Sequence, residues 1–149
     1  MSDRFEVRPA TEEDLPYVYS SWVLTAFDAN DALRFRNGER ASARKGVFCD
    51  GLTRLLGKVL ARSRVDVAHP KSAPDEIAGY VCYEPGVIHA LTVKRTPWRG
   101  MGAARVLMEH VGASGEAFRY SFLSREARSF YEHFSSRAVY DPFAALETP

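Results

Sequence analysis

The stretch from Ile88 to His110, IHALTVKRTPWRGMGAARVLMEH, reads as an apolar strand, a basic loop and a helix. Val87 to Val93 is a nearly continuous apolar run, which suits a central strand covered on both faces. Gly100 and Gly102 fall where the loop becomes the helix. Lys94, Arg95, Arg99 and Arg105 stand in or beside that loop, and no acid lies between Lys94 and Arg105. The first amides of a helix have no acceptor in their own ladder, and the helix dipole adds partial positive charge there. A turn of this composition is suited to holding an anion such as phosphate. The competing reading is a glycine-rich turn that only tightens strand–helix packing.

The chain upstream supplies a first strand, Phe5 to Pro9, that stops at proline and belongs near a sheet edge. Thr11-Glu12-Glu13-Asp14 opens a helix, with Thr11 able to cap and Asp14 in the place of the capping-box acid. Leu15, Val18, Tyr19, Trp22, Val23 and Phe27 give that helix one apolar face. Asp28 to Phe48 is polar, basic and weakly periodic, and reads as an insertion. From Asp50 a second helix carries the stripe Leu52, Leu55, Leu56, Val59 and Leu60. Strands follow at Val65 to Ala68 and Ile77 to Tyr83. Glu84-Pro85-Gly86-Val87 then makes a turn with Pro second and Gly third.

Downstream, Met101 to Val111 is a helix with Val106, Leu107, His110 and Val111 on its packed side, closed by Gly112. Ala117 to Leu123 is a strand. Ser124 starts a helix bearing Ala127, Phe130, Tyr131 and Phe134, and Ala138 to Tyr140 is a last short strand. The order is β α α β β β α β α β. It predicts an α/β (α+β) fold with a mixed sheet of about six to seven strands and helices on its faces, in a single domain spanning 1–149.

Charge is balanced at +1, so nothing global points to nucleic acid. Locally, Arg34 to Arg64 holds nine Lys/Arg against two acids, whereas Thr11 to Asp31 holds five acids and no base. These are two solvated faces of opposite sign, or a surface that steers an acidic or phosphorylated partner. Cys49 and Cys82 form no disulfide framework, the N-terminus has no apolar leader, and no run is long enough to span a bilayer. The expectation is a cytoplasmic protein with no membrane partner.

Two phosphate motifs fail. There is no GxxxxGK with Ser or Thr, and Arg105 occupies the third glycine of a dinucleotide fingerprint. What fits is Arg99-Gly100-Met101-Gly102-Ala103-Ala104, a Gln/Arg-x-x-Gly-x-Gly/Ala pattern following an apolar strand. In that position it resembles the acetyl-coenzyme A loop of the GCN5-related N-acetyltransferases (GNAT), most strongly over Val65 to Phe134. The Ser20-Ser21-Trp22 segment also resembles small GNAT-like proteins of tailed phages. The resemblance implies acetyl-coenzyme A as co-substrate, a splay between strands 4 and 5, and a pantetheine arm paired with Leu91, Thr92 and Val93. It implies a pyrophosphate site at Arg99, Gly100, Met101, Gly102, Ala103, Ala104 and Arg105. It further implies transfer of acetyl to a primary amine of a small molecule or protein. A homodimer or a protein partner remains open.

Ser124-Arg125-Glu126-Ala127-Arg128-Ser129-Phe130-Tyr131-Glu132 resembles the family's Asn-x-x-Ala-x-x-x-Tyr-Glu segment, which makes Tyr131 the candidate general acid. Ser124 in place of Asn and Ser135-Ser136 in place of Gly-Phe depart from the pattern. They leave a second reading: a GNAT-fold binding or structural module with weak or no catalysis, for instance a phage virion-associated or host-interacting protein. For the base the candidates are His89 and Glu84. His89 is expected on one strand face with Leu91 and Val93, and Glu84 beside a turn. The four histidines, at 69, 89, 110 and 133, have no ligand spacing, so no metal site is expected.

Overall fold

The computed structural model describes residues 4–29, 38–94, 102–112, 117–122, 130–131 and 133–146. Its elements run β1 (Phe5–Pro9), α1 (Leu15–Ala29), α2 (Gly38–Arg62), β2 (Arg64–Pro70), β3 (Gly79–Glu84), β4 (Val87–Val93), α3 (Ala103–His110), β5 (Phe118–Tyr120) and β6 (Ala138–Tyr140). Residues 130, 131, 133 and 134 are helical, and a 3-10 turn at Pro142–Leu146 follows β6. None of the described helices is long and apolar enough to cross a membrane.

The six strands form one mixed sheet in the order β1-β2-β3-β4-β5-β6. The first four make an antiparallel meander, while β4–β5 and β5–β6 are parallel. The turn between β3 and β4 is closed by Gly86 at φ 75, a left-handed conformation that glycine adopts without a Cβ penalty.

Strand alternation splits the core in two. On one face Val67, Tyr80, Cys82 and Ala90 pack with Val18 and Trp22 of α1 and Leu52, Leu56 and Val59 of α2. On the other Ala68, Val81, Ile88, Phe118 and Tyr120 pack with Ala103, Leu107 and Met108 of α3 and with Tyr131. Fully burying a side chain such as Leu56 or Leu107 contributes roughly 1.5–3 kcal/mol.

The start of α1 is tied to the sheet edge by Asp14. Its Oδ2 accepts the Thr11 amide at 2.7 Å, the Thr11 hydroxyl at 3.1 Å and Arg8 Nη1 at 2.7 Å. This is one half of the expected capping box, joined to an ion pair with β1. Pro16 sits in the first helical turn, where its missing amide breaks no ladder bond.

The reading of Asp28 to Phe48 as an insertion is corrected. α2 begins at Gly38 and runs 25 residues to Arg62 as one helix, not from Asp50. Residues 38–49 are rich in Ala, Arg, Lys and Glu, and such strong helix formers carry a helix without a clear apolar stripe. β5 is shorter than the expected Ala117 to Leu123, and β3 begins at Gly79, not Ile77.

Candidate functional site

β4 and β5 part company early. Their register holds only Val87 opposite Arg119 and Ile88 opposite Tyr120. The Ser121 amide donates to the Ile88 carbonyl at 3.1 Å, and among the described residues the ladder goes no further. Leu91, Thr92 and Val93 keep their β3 partners, Val81, Tyr80 and Gly79, but among the described residues face no strand on the β5 side, and they are half-buried. One backbone edge of β4 therefore lies open past an apex at Ile88 and Ser121. An extended ligand segment can pair with such an edge as an added strand would.

A bulge at the apex bends β4. Cys82 faces Ala90 and Tyr83 faces Ile88, so His89 is the extra residue. Bulges increase local twist and end regular pairing. The bulge also corrects the expected face of His89. Leu91 and Val93 pack toward the α3 side, whereas His89 turns to the α2 side, on which Glu84 and Ser121 lie. A period-two count fails here because the additional residue resets the alternation.

The buried His89 ring joins three strands. Its Nε2 lies 2.6 Å from Glu84 Oε2 on β3, and its Nδ1 lies 2.6 Å from Ser121 Oγ just past β5. Arg62, in the last turn of α2, donates from Nε to the same Glu84 oxygen at 3.1 Å. Its Nη2 donates to the Ala144 and Ala145 carbonyls at 3.0 and 2.8 Å. Burial alone would raise the Glu84 carboxyl, but the hydrogen bonds and charges of His89 and Arg62 outweigh it and hold Glu84 below its ordinary value. Burial lowers the His89 imidazole below its usual value despite the pull of Glu84. The ring is therefore neutral near pH 7. Ser121 and Arg62 escaped the sequence reading. The one local signal was His89, a lone polar residue in the apolar run VIHAL; Ser121, beside Arg119 in FRYSF, gave none.

The next described element after β4 is α3, which packs on β4. Gly102 caps it at φ 97, in the left-handed region that favours glycine. The first ladder bond runs from the Val106 amide to the Gly102 carbonyl at 3.0 Å, so the amides of Ala103, Ala104 and Arg105 precede the ladder. Ala103 is buried under the helix, Ala104 is half-buried and Arg105 is exposed. Arg95, Arg99, Gly100 and Met101 lie outside the described residues. Lys94, read as a further phosphate contact, holds its ammonium 4.7 Å from the centre of the Tyr17 ring.

Tyr131 lies on the α3 side of the sheet, fully buried against Tyr120 at 4.7 Å, Phe118 at 5.7 Å and Phe130 at 6.2 Å between ring centres. Desolvation pushes its phenol well above the ordinary tyrosine value. It stays protonated over any working pH. Ser124 and the rest of its segment to Ser129 lie outside the described residues. Among the described residues no group of three His, Cys, Asp or Glu could hold a metal ion.

An antiparallel meander, a parallel fifth strand that separates from a bulged fourth, and a helix starting at the end of that fourth strand form one recognisable combination. The chain has the GNAT fold. It superposes on a GCN5-related N-acetyltransferase from Rhodopseudomonas palustris with a TM-score of 0.55 and 16% identity, over 89% of this chain and 82% of that one. It superposes on apo YjaB from Escherichia coli with a TM-score of 0.54 and 18% identity, over 86% and 79% of the two chains. A histone acetyltransferase HPA2 and related acetyltransferase from Corynebacterium glutamicum gives 0.53 and 19% identity, over 87% and 83%. No family model matches the sequence, and no curated protein is similar to it in sequence. The GNAT likeness is therefore one of backbone, and function has to be argued from the site.

Proposed function

We propose that this protein is an acyl-coenzyme A-dependent N-acyltransferase that moves acetyl from acetyl-coenzyme A to a primary amine. One observation carries the reading: among the described residues β4 leaves β5 at an apex beside the buried His89, so that Leu91, Thr92 and Val93 lose their β5 partner, and the next described element, α3, begins with amides ahead of its ladder. The donor set suits the co-substrate. Backbone groups of an open strand match an amide-bearing arm, and amides ahead of a helix ladder match a pyrophosphate. Leu91, Thr92 and Val93 would hold the arm. Gly102, Ala103, Ala104 and Arg105, with Arg99, Gly100 and Met101, would hold the phosphates. Bound there, acetyl-coenzyme A supplies an activated acyl thioester.

The chain's own groups have distinct tasks. Tyr131, kept neutral by burial, is the acid for the departing sulfur. His89, neutral near pH 7 and oriented by Glu84, is the base. The basic run from Arg34 to Arg64 suits an acidic or phosphorylated amine as the acceptor.

Isothermal titration with acetyl-coenzyme A tests this reading. We expect micromolar binding to the wild type, and loss with Arg105→Glu and Gly102→Glu in protein whose circular dichroism is unchanged. Absence of heat at millimolar coenzyme would overturn the assignment of the cleft.

A further inference from the structure

We propose that Ser121 is the proton-accepting hydroxyl at the β4–β5 apex, with His89 as its proton store and Glu84 as the charge that stabilises the store. This rests on the acyl-transfer reading and adds to it the group that faces the reacting atoms.

Ser121 follows β5 directly, and its amide makes the last rung to Ile88. Its side chain therefore sits where the open edge of β4 begins. The residue is buried, as is His89, and the short contact between them joins positions 32 apart in sequence. Glu84 is the outer member, with its side chain 21% exposed. Arg62 holds Glu84 from α2 and is itself fixed by two carbonyls of the C-terminal turn, so the carboxylate has little freedom to leave the imidazole.

The protonation pattern follows from this clamp. A carboxylate paired with Arg62 and held below its ordinary value is ionised, and an ionised carboxylate only accepts. The 2.6 Å contact then requires the His89 proton on Nε2, donated to Glu84. Nδ1 is left with its lone pair, so the Ser121 hydroxyl must donate to it. Among the described residues no other donor reaches Ser121 Oγ, whose lone pairs can receive a proton from a group at the apex.

The transfer balances. As the amine nitrogen bonds to the acyl carbon, its proton passes to Ser121 Oγ while the Ser121 proton passes to Nδ1. The resulting imidazolium is stabilised by Glu84, as a buried acid stabilises a catalytic histidine without itself taking the proton. The sulfur leaves with its bonding electrons and takes a proton from Tyr131. The stored proton then restores Tyr131 through solvent, so no net proton is gained or lost. Other charges facing His89 are Arg62 from α2 and Arg119 from β5. Both disfavour its charged form, and Arg119 is paired with Asp141 at 2.9 Å.

Two measurements test the proposal. On the protein alone, long-range 1H–15N spectra should show His89 neutral near pH 7 with its proton on Nε2; a proton on Nδ1 would overturn the arrangement. In steady-state acetyl transfer, Ser121→Ala should lower kcat about a hundredfold, leave KM for acetyl-coenzyme A within about twofold and remove the acidic limb of the pH–rate profile. Ser121→Thr, which keeps the hydroxyl, should restore most of the rate. An unchanged kcat in Ser121→Ala, or an acyl adduct on Ser121 in the intact mass of the wild type, would overturn it. A wild type that binds no acetyl-coenzyme A would instead end the reading of the cleft, and the His89 tautomer would still report on the relay geometry.

Discussion

Gly79 of β3 lies opposite Val93 of β4, and a Cβ on Gly79 would stand 2.5 Å from the Thr92 carbonyl oxygen and 3.2 Å from Val93 Cα. These are backbone atoms, so a side chain at 79 can be accommodated only by moving the end of β4. That end is the edge proposed to pair with the coenzyme arm. Gly79→Ala should cost roughly 1–3 kcal/mol of stability, in the range of other overpacking changes. It should also weaken coenzyme binding. Chemical denaturation and calorimetry check this. Unaltered affinity in a destabilised variant would mean that the edge is not what binds.

Tyr131→Phe keeps the ring stack against Phe118 and Tyr120 and removes only the hydroxyl. Turnover should fall by at least tenfold, with coenzyme affinity unchanged. A variant with wild-type turnover would leave Tyr131 as a core residue alone and assign the acid elsewhere.

Asp66, buried on β2, accepts the Tyr83 hydroxyl at 2.7 Å and faces His110 Nε2 at 2.9 Å. Burial first, and then the hydrogen bond to Asp66, push the Tyr83 phenol up to about 12. A phenol raised in the folded state contributes stability below the unfolded value near ~10, lost as pH rises toward the folded value. Ultraviolet difference titration should place the Tyr83 transition near the top of the alkaline range, and Asp66→Asn should bring it down. No movement in Asp66→Asn would show that burial alone sets it.

Asp14 offers the opposite sign. The hydrogen bond from Arg8 outweighs burial, and with the Thr11 amide it holds the Asp14 carboxyl below its ordinary value. Its stabilisation is present above the unfolded carboxylate value near ~3.9 and is lost as pH falls through the lower folded value. Asp14→Ala should cost about 1–2 kcal/mol at neutral pH, as for loss of a helix cap, and less in acid. Melting curves at neutral and acid pH measure the difference. Equal losses at both would exclude the ionised pair as the source.

Much of the scaffold was legible because it is written locally. The Glu84-Pro85-Gly86-Val87 turn needs a left-handed third residue, and Gly86 supplies it at φ 75. The stripe of Leu52, Leu56 and Val59 announces a buried helical face, and all three are buried. The first half of α2 was missed because propensity forms it without periodicity. His89 was placed on the wrong face because a bulge is a relation between two strands, invisible along one. Arg62 and Ser121 were missed for a related reason: each is an ordinary residue locally and gains meaning from partners 22 and 32 positions away.

Sequence alone determined the order of elements, the anion-suited turn ahead of α3 and the mixed α/β class, because turn chemistry and apolar spacing act over a few residues. Tertiary structure decided where β4 and β5 separate, which edge stays open and which way His89 turns. Those outcomes depend on strand register, and register is fixed by side chains packing across the whole sheet. The loop that first suggested phosphate is one end of the proposed site. The other end, the Ser121–His89–Glu84–Arg62 chain, exists only because folding brings three strands and the end of α2 to a single point.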